Sequence, residues 1–162
     1  MCSSDLVDRI LSAVGALERT PDRHVIVVDS GSAATVNLTT KDRVFRGGAI
    51  MPGFRLMGVA LHRGTAALPS VTIDRRPPVL GDSTESSMSS GVYFAVAGGV
   101  DRLIRELVAS LGGDQSAVLL TGGDAELLSP GLTAPHTIVP HLVLEGLEII
   151  LKQWRRRGRV GL

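Results

Sequence analysis

Val28-Asp29-Ser30-Gly31-Ser32-Ala33-Ala34-Thr35 is the stretch on which the fold turns. It follows a short apolar run, residues 24–28, and leads into a second strand-like segment, residues 34–38. A strand that ends in Asp-x-Gly-Ser and folds straight back makes a tight hairpin with its polar groups at the tip. Gly31 has access to φ > 0 and lets a ligand approach the backbone. Successive N–H groups in such a turn form an anion-binding nest. Ser32 adds a hydroxyl and Asp29 adds a carboxylate able to hold a cation. These groups suit a nucleotide phosphate. Ordinary hairpin chemistry explains the same Asp, Ser and Gly letters, so this segment alone leaves both readings open.

Working outward, residues 44–50 follow the turn at Lys41-Asp42 and read as a third strand, completing an antiparallel meander. Before it, Leu6, Val7, Ile10, Leu11, Val14 and Leu17 recur at three- and four-residue spacing, which predicts a helix over 5–17. After it, Pro52 starts a helix that runs to Leu61, with proline at a favoured first position. Residues 64–81, with prolines at 69, 77 and 78, read as an irregular surface excursion. Residues 84–111 read as one long helix, bent near Gly98-Gly99, with Thr84 as its N-cap. A strand at 117–120, a short helix at 124–128, a small strand from Ile138 and a last helix at 141–156 complete the order. A mixed sheet covered by helices follows, an α/β architecture with the three-strand meander at its heart.

Composition narrows the class. The 162 residues fit one domain. Hydrophobic residues make up 44% but aromatics only 3%, so Val, Leu, Ile and Ala must build the core. A net charge of +1 supplies no strong field for nucleic acid or a membrane surface. The cluster Arg155 to Arg157 plus Arg159 reads as a solvated helix end. The single cysteine, Cys2, permits no internal disulfide and has no histidine near it in sequence, which fits a reducing cytoplasm and excludes a cysteine nucleophile. No apolar run approaches the about 18 residues of a membrane span. His62, His136 and His141 lack metal-ligand spacing.

Six segments in order resemble the type III pantothenate kinases, which belong with actin and the acetate and sugar kinases. Leu6-Val7-Asp8-Arg9 resembles that family's Gly-x-Asp-Arg, and residues 28–35 its Asp-x-Gly-Thr-Ala-x-Thr. Gly47-Gly48-Ala49-Ile50-Met51-Pro52-Gly53, with Arg55-Leu56-Met57 and Thr65-Ala66-Ala67-Leu68-Pro69, is similar to its central block. Gly81-Asp82-Ser83-Thr84, Leu119-Leu120-Thr121-Gly122-Gly123-Asp124-Ala125 and Pro140-His141-Leu142-Val143-Leu144-Glu145-Gly146-Leu147 are similar to its later motifs. Leu6 stands where the family has Gly, Ser32 where it has Thr, and Ser83 where it has Asn.

The resemblance implies a ribonuclease H-like lobe and a kinase that phosphorylates pantothenate with ATP, the first step toward coenzyme A. It implies Asp8 as general base, Leu6, Val7, Asp8 and Arg9 as a pantothenate-binding turn, and Thr84 as a second pantothenate contact. It further implies Asp29 at a monovalent cation, potassium or ammonium, Ser32 at ATP, Mg²⁺ with the nucleotide, and a cytoplasmic homodimer. Arg9 could pair with the pantothenate carboxylate or hold Asp8 ionised. Gly122-Gly123 is either an adenosine contact or a plain turn. The family's N-terminal lobe, with its Asp-x-Gly-Asn-Thr phosphate loop, has no counterpart in these residues. The expectation is therefore a C-terminal lobe with little or no turnover by itself, or else a non-catalytic regulatory or accessory factor of the same fold.

Overall fold

The computed structural model describes residues 4–113 and 115–157. Cys2 and Arg159 lie outside them. Helix α1, Ser4–Arg19, leads into the meander β1 His24–Ser30, β2 Ala33–Thr39 and β3 Phe45–Pro52. Helices α2 Phe54–Gly64 and α3 Thr84–Ser110 follow, then β4 Ser116–Thr121, α4 Ala125–Leu128, a 3₁₀ turn Ser129–Gly131, β5 Thr137–Ile138 and α5 Leu142–Arg157. The five strands lie in the order β3-β2-β1-β4-β5. β1–β2 and β2–β3 are antiparallel, while β1–β4 and β4–β5 are parallel. The expected mixed sheet with an antiparallel meander is present.

β1 is central, and helices cover both of its faces, which is why its sequence is a continuous apolar run. Val25 and Val27 point to one side and pack with Ala16 and Leu17 of α1, Leu119, and Leu142 of α5. Ile26 and Val28 point to the other and join Val92, Tyr93, Val96, Val100 and Ile104 of α3. On that side the Phe54 and Tyr93 rings stack with centroids 5.6 Å apart. The two-residue period of a strand then places Asp29 on the α1 side. Because α1 folds back on β1 through one short turn, its N-terminal end lies beside the C-terminal end of β1. The fold thereby brings residues 8 and 9 to Asp29.

Several boundaries differ from the sequence expectation. Pro52 closes β3 and does not open a helix. β3 is an edge strand, where a residue without an N–H is tolerated. The N-cap of α2 is Gly53, in an extended conformation. α3 runs unbroken through Gly98-Gly99. Its N-cap is Ser83, not Thr84: the Ser83 side chain accepts from Ser86 N while Ser86 Oγ accepts from Ser83 N, a reciprocal capping box. Thr84 is the first helical residue.

Candidate functional site

The hairpin tip is locked by main-chain bonds. Gly31 N donates to Ala33 O (3.0 Å), Gly53 N to Ser32 O (3.0 Å) and Asp124 N to Ser30 O (2.9 Å). Loops from two other parts of the chain therefore clasp the tip from either side. Gly31 does not use its access to positive φ; that conformation falls at Gly122, with φ of 95°. A Cβ on Gly122 would overlap Asp29 Oδ1 and Ser30 O, and one on Gly53 would overlap Gly31 O. Both clasping loops approach so closely that only glycine fits.

Asp8 and Asp29 line one cleft of about 270 Å³, with Arg9, Gly31, Ser32 and Thr35 among its other walls. Asp29 is half-buried, and burial, then the negative charge of Asp8, push its carboxyl above the ordinary carboxylate range. Arg9 does not pair with Asp8. Its Nε donates to Asn37 Oδ1 at 2.7 Å and its guanidinium lies 5.5 Å from the Phe45 ring centroid. Asn37 is held in turn by donating to Thr35 Oγ1 at 3.0 Å. Arg9 is thus fixed at the cleft wall, and among the described residues no acid pairs with it. Of the residues 6–9, Asp8 and Arg9 line this cleft; Leu6 and Val7 do not.

Asp29 also borders a second cleft of about 300 Å³, formed with Thr121, Gly122, Gly123 and the start of α5 at His141 and Leu142. The Gly122-Gly123 turn therefore abuts the Asp29 site. Asp124, next in the chain, is raised by burial, and Arg55 opposes that shift. Arg55 Nη2 donates to Ser32 Oγ at 3.2 Å. Arg55 and Asp124 fall within segments that carry the family resemblance, which gives them no role; Asn37 lies outside those segments, and its bond to Arg9 depends on tertiary packing.

Thr84 is exposed and stands elsewhere. It lines a broad groove of about 720 Å³ with Leu61, Leu68, Asp82, Ser83 and Met88, and shares no lining residue with the Asp8 cleft. The His62 and His136 rings are engaged by nearby backbone and side-chain groups. His62 Nδ1 meets Leu68 O at 2.7 Å, and His136 joins Ala134 O (2.7 Å) and Ser129 Oγ (2.8 Å). The His141 carbonyl accepts from Leu144 N and Glu145 N at the start of α5. Among the described residues there is no group of three or more His, Cys, Asp or Glu placed to hold a metal ion. No helix among them is long and apolar enough to cross a membrane.

A sheet of this order with an acidic hairpin at its centre defines a lobe of the actin-like fold. The archaeal actin homologue Ta0583 superimposes with a TM-score of 0.55 at 12% identity, over 90% of this chain and 54% of that one. A Baf family protein from Campylobacter jejuni superimposes with a TM-score of 0.57 at 22% identity, over 93% and 65%. The sequence profile of the type III pantothenate kinases matches residues 7–106, and the chain belongs to that family. It is 41% identical over 143 residues to the type III pantothenate kinase of Legionella pneumophila strain Paris, covering 88% of this chain and 56% of the relative. It is 38% identical over 148 residues to that of Porphyromonas gingivalis, covering 90% and 60%. The chain thus spans a little over half the length of these relatives.

Proposed function

We propose that this chain supplies the C-terminal half of a kinase that transfers the terminal phosphoryl group of ATP to the primary hydroxyl of pantothenate, giving 4′-phosphopantothenate for coenzyme A synthesis. The observation that carries the reading is the single cleft containing Asp8, Arg9, Asp29 and the hairpin tip. Asp8 accepts the hydroxyl proton as the oxygen attacks the γ-phosphorus, and the bond to the β–γ bridging oxygen breaks to release ADP. Arg9, held by Asn37, takes the pantothenate carboxylate. Leu6 and Val7 belong to the first turns of α1, the helix that carries those two side chains. Ser32 Oγ contacts the nucleotide phosphates.

Asp29 is the residue to hold a monovalent cation, potassium or ammonium. A carboxylate kept above its ordinary range by burial and by a second acid is in want of positive charge. Mg²⁺ would arrive on the nucleotide phosphates and keep most of its water. When bound, the cation offsets phosphate charge beside the tip.

Thr84 lines a different groove from Asp8, with no lining residue shared. A pantothenate contact from Thr84 fits a homodimer in which a second copy presents it, in the cytoplasm where both substrates are made available. Sedimentation as a dimer is expected, and a monomer at all concentrations contradicts that part. The substrate reading is tested by titrating pantothenate into the purified chain with potassium and ATP present. One site per chain is expected, weakened more than tenfold in Arg9→Ala. No heat with the wild-type chain contradicts it.

A further inference from the structure

Arg55 stands where α2 begins, one residue after Phe54 in the core and two after the Gly53 that touches the hairpin. That anchoring fixes its Cα beside the tip, while its side chain is exposed. Among the described residues no carboxylate lies within ion-pair distance of its guanidinium, and its one bond is to a neutral hydroxyl, Ser32 Oγ at 3.2 Å. A guanidinium carries five N–H donors in a planar fork, matched to phosphate oxygens. Asp124, whose carboxyl feels the Arg55 charge, follows the Gly122-Gly123 turn and donates its N–H to Ser30 O of the tip. Arg55 therefore holds a positive charge at the hairpin tip, within electrostatic reach of the loop that carries Asp124.

We propose that Arg55 is a phosphate-binding residue for the β- and γ-phosphates of the nucleotide, parked on Ser32 Oγ until the nucleotide arrives. Phosphate oxygens replace the hydroxyl as acceptor, and the released Ser32 hydroxyl donates to the same phosphates. A purely structural role, tying α2 to the hairpin, makes a different set of demands: it weakens the fold and has no dependence on the number of phosphates. The inference rests on reading this cleft as the nucleotide site, and the experiment separates the two.

The 162-residue chain is titrated with ATP, with adenosine and with pantothenate at low ionic strength, as wild type and as Arg55→Gln, Arg55→Lys and Ser32→Ala, with melting curves for each. ATP affinity is expected to fall about tenfold or more in Arg55→Gln, the loss of a charge-assisted pair. Arg55→Lys recovers part of it, and adenosine and pantothenate affinities do not change. If Arg55→Gln binds ATP as wild type does while Ser32→Ala binds it weakly, Arg55 is excluded and the nucleotide site survives. Equal losses for ATP and adenosine, tracking a lower melting point, also exclude it. A wild-type chain that binds pantothenate but no nucleotide overturns both this inference and the nucleotide site.

Discussion

Gly122 occupies the space that a side chain would need at the carboxylate of Asp29. Its φ is 95°, and a Cβ there would overlap Asp29 Oδ1 and Ser30 O. The contact arises because β1 and β4 are parallel neighbours in a register that sets Asp29 opposite Thr121, one residue before the glycine. The two clefts that share Asp29 as a wall are built on that adjacency.

Gly122→Ala tests it. Left-handed strain and overlap with main chain that is itself hydrogen-bonded leave little room to relax. The expected cost is about 2–4 kcal/mol in urea denaturation, with weaker cation and nucleotide binding in the fraction that folds. A stability within 0.5 kcal/mol or so of wild type contradicts the crowding argument.

The Asp29 carboxyl is raised, so its protonated form is favoured in the fold. Its contribution to stability is present below the unfolded pKa and is lost as pH rises through the folded pKa. Asp29→Asn removes that loss. The variant is expected to melt higher than wild type near neutral pH without potassium, the gap closing as pH falls. Added potassium stabilises wild type only, and less so at low pH. Melting curves across pH, with and without potassium chloride against a non-binding salt, provide the check; a potassium effect that persists in Asp29→Asn contradicts the cation assignment.

Asp101 of α3 is an anchor that lines neither cleft. Burial pushes its carboxyl up, but donation from Thr133 N and Oγ1 and Ala134 N, with Arg105 at 3.1 Å, outweighs burial and holds it below the ordinary range. Stability from this cluster is present above the unfolded pKa and drains away as pH falls through the folded one. Asp101→Ala leaves two main-chain N–H groups without their acceptor and is expected to cost about 2–3 kcal/mol. The difference from wild type should shrink in acid, as urea midpoints measured down the pH scale will reveal; a gap independent of pH contradicts the charge argument.

Arg19 and Glu145 join α1 to α5 through two bonds, 2.6 and 2.7 Å long. Both side chains are about a third to a half exposed. Solvent screening limits such a pair to about 1 kcal/mol or less. A double-mutant cycle is expected to return a coupling of that size that falls with added salt. A coupling several times larger would mean that the pair, and not the Leu17, Val139 and Leu142 cluster beneath it, holds the two helices together.

How much of this was legible follows from how local each signal is. The β1–β2 hairpin could be read because a strand covered on both faces has an unbroken apolar run, and because Asp29 to Ser32 are turn residues. The stripe on α1 could be read for the same kind of reason. Pro52 could not be placed: proline serves a helix start and an edge-strand end equally well, and the choice was made by Gly53 docking on Ser32. The cap of α3 lay one residue from its expected position because Ser83 and Thr84 are both good caps, and only the reciprocal bond with Ser86 separates them. The positive φ at Gly122, the Arg55–Ser32 contact and the holding of Arg9 by Asn37 depend on strands and helices distant in sequence. No spacing rule reports them.

The central claim is that Asp8 accepts the proton of a pantothenate hydroxyl in a cleft where Asp29 holds a cation. The most direct measurement is pantothenate-dependent ADP release from ATP, with this chain supplied with the remaining length of its relatives, comparing Asp8 with Asp8→Asn at saturating pantothenate. A drop of about 10²–10⁴-fold with pantothenate affinity preserved is the expected result. A folded Asp8→Asn protein that turns over within tenfold of wild type would contradict the account.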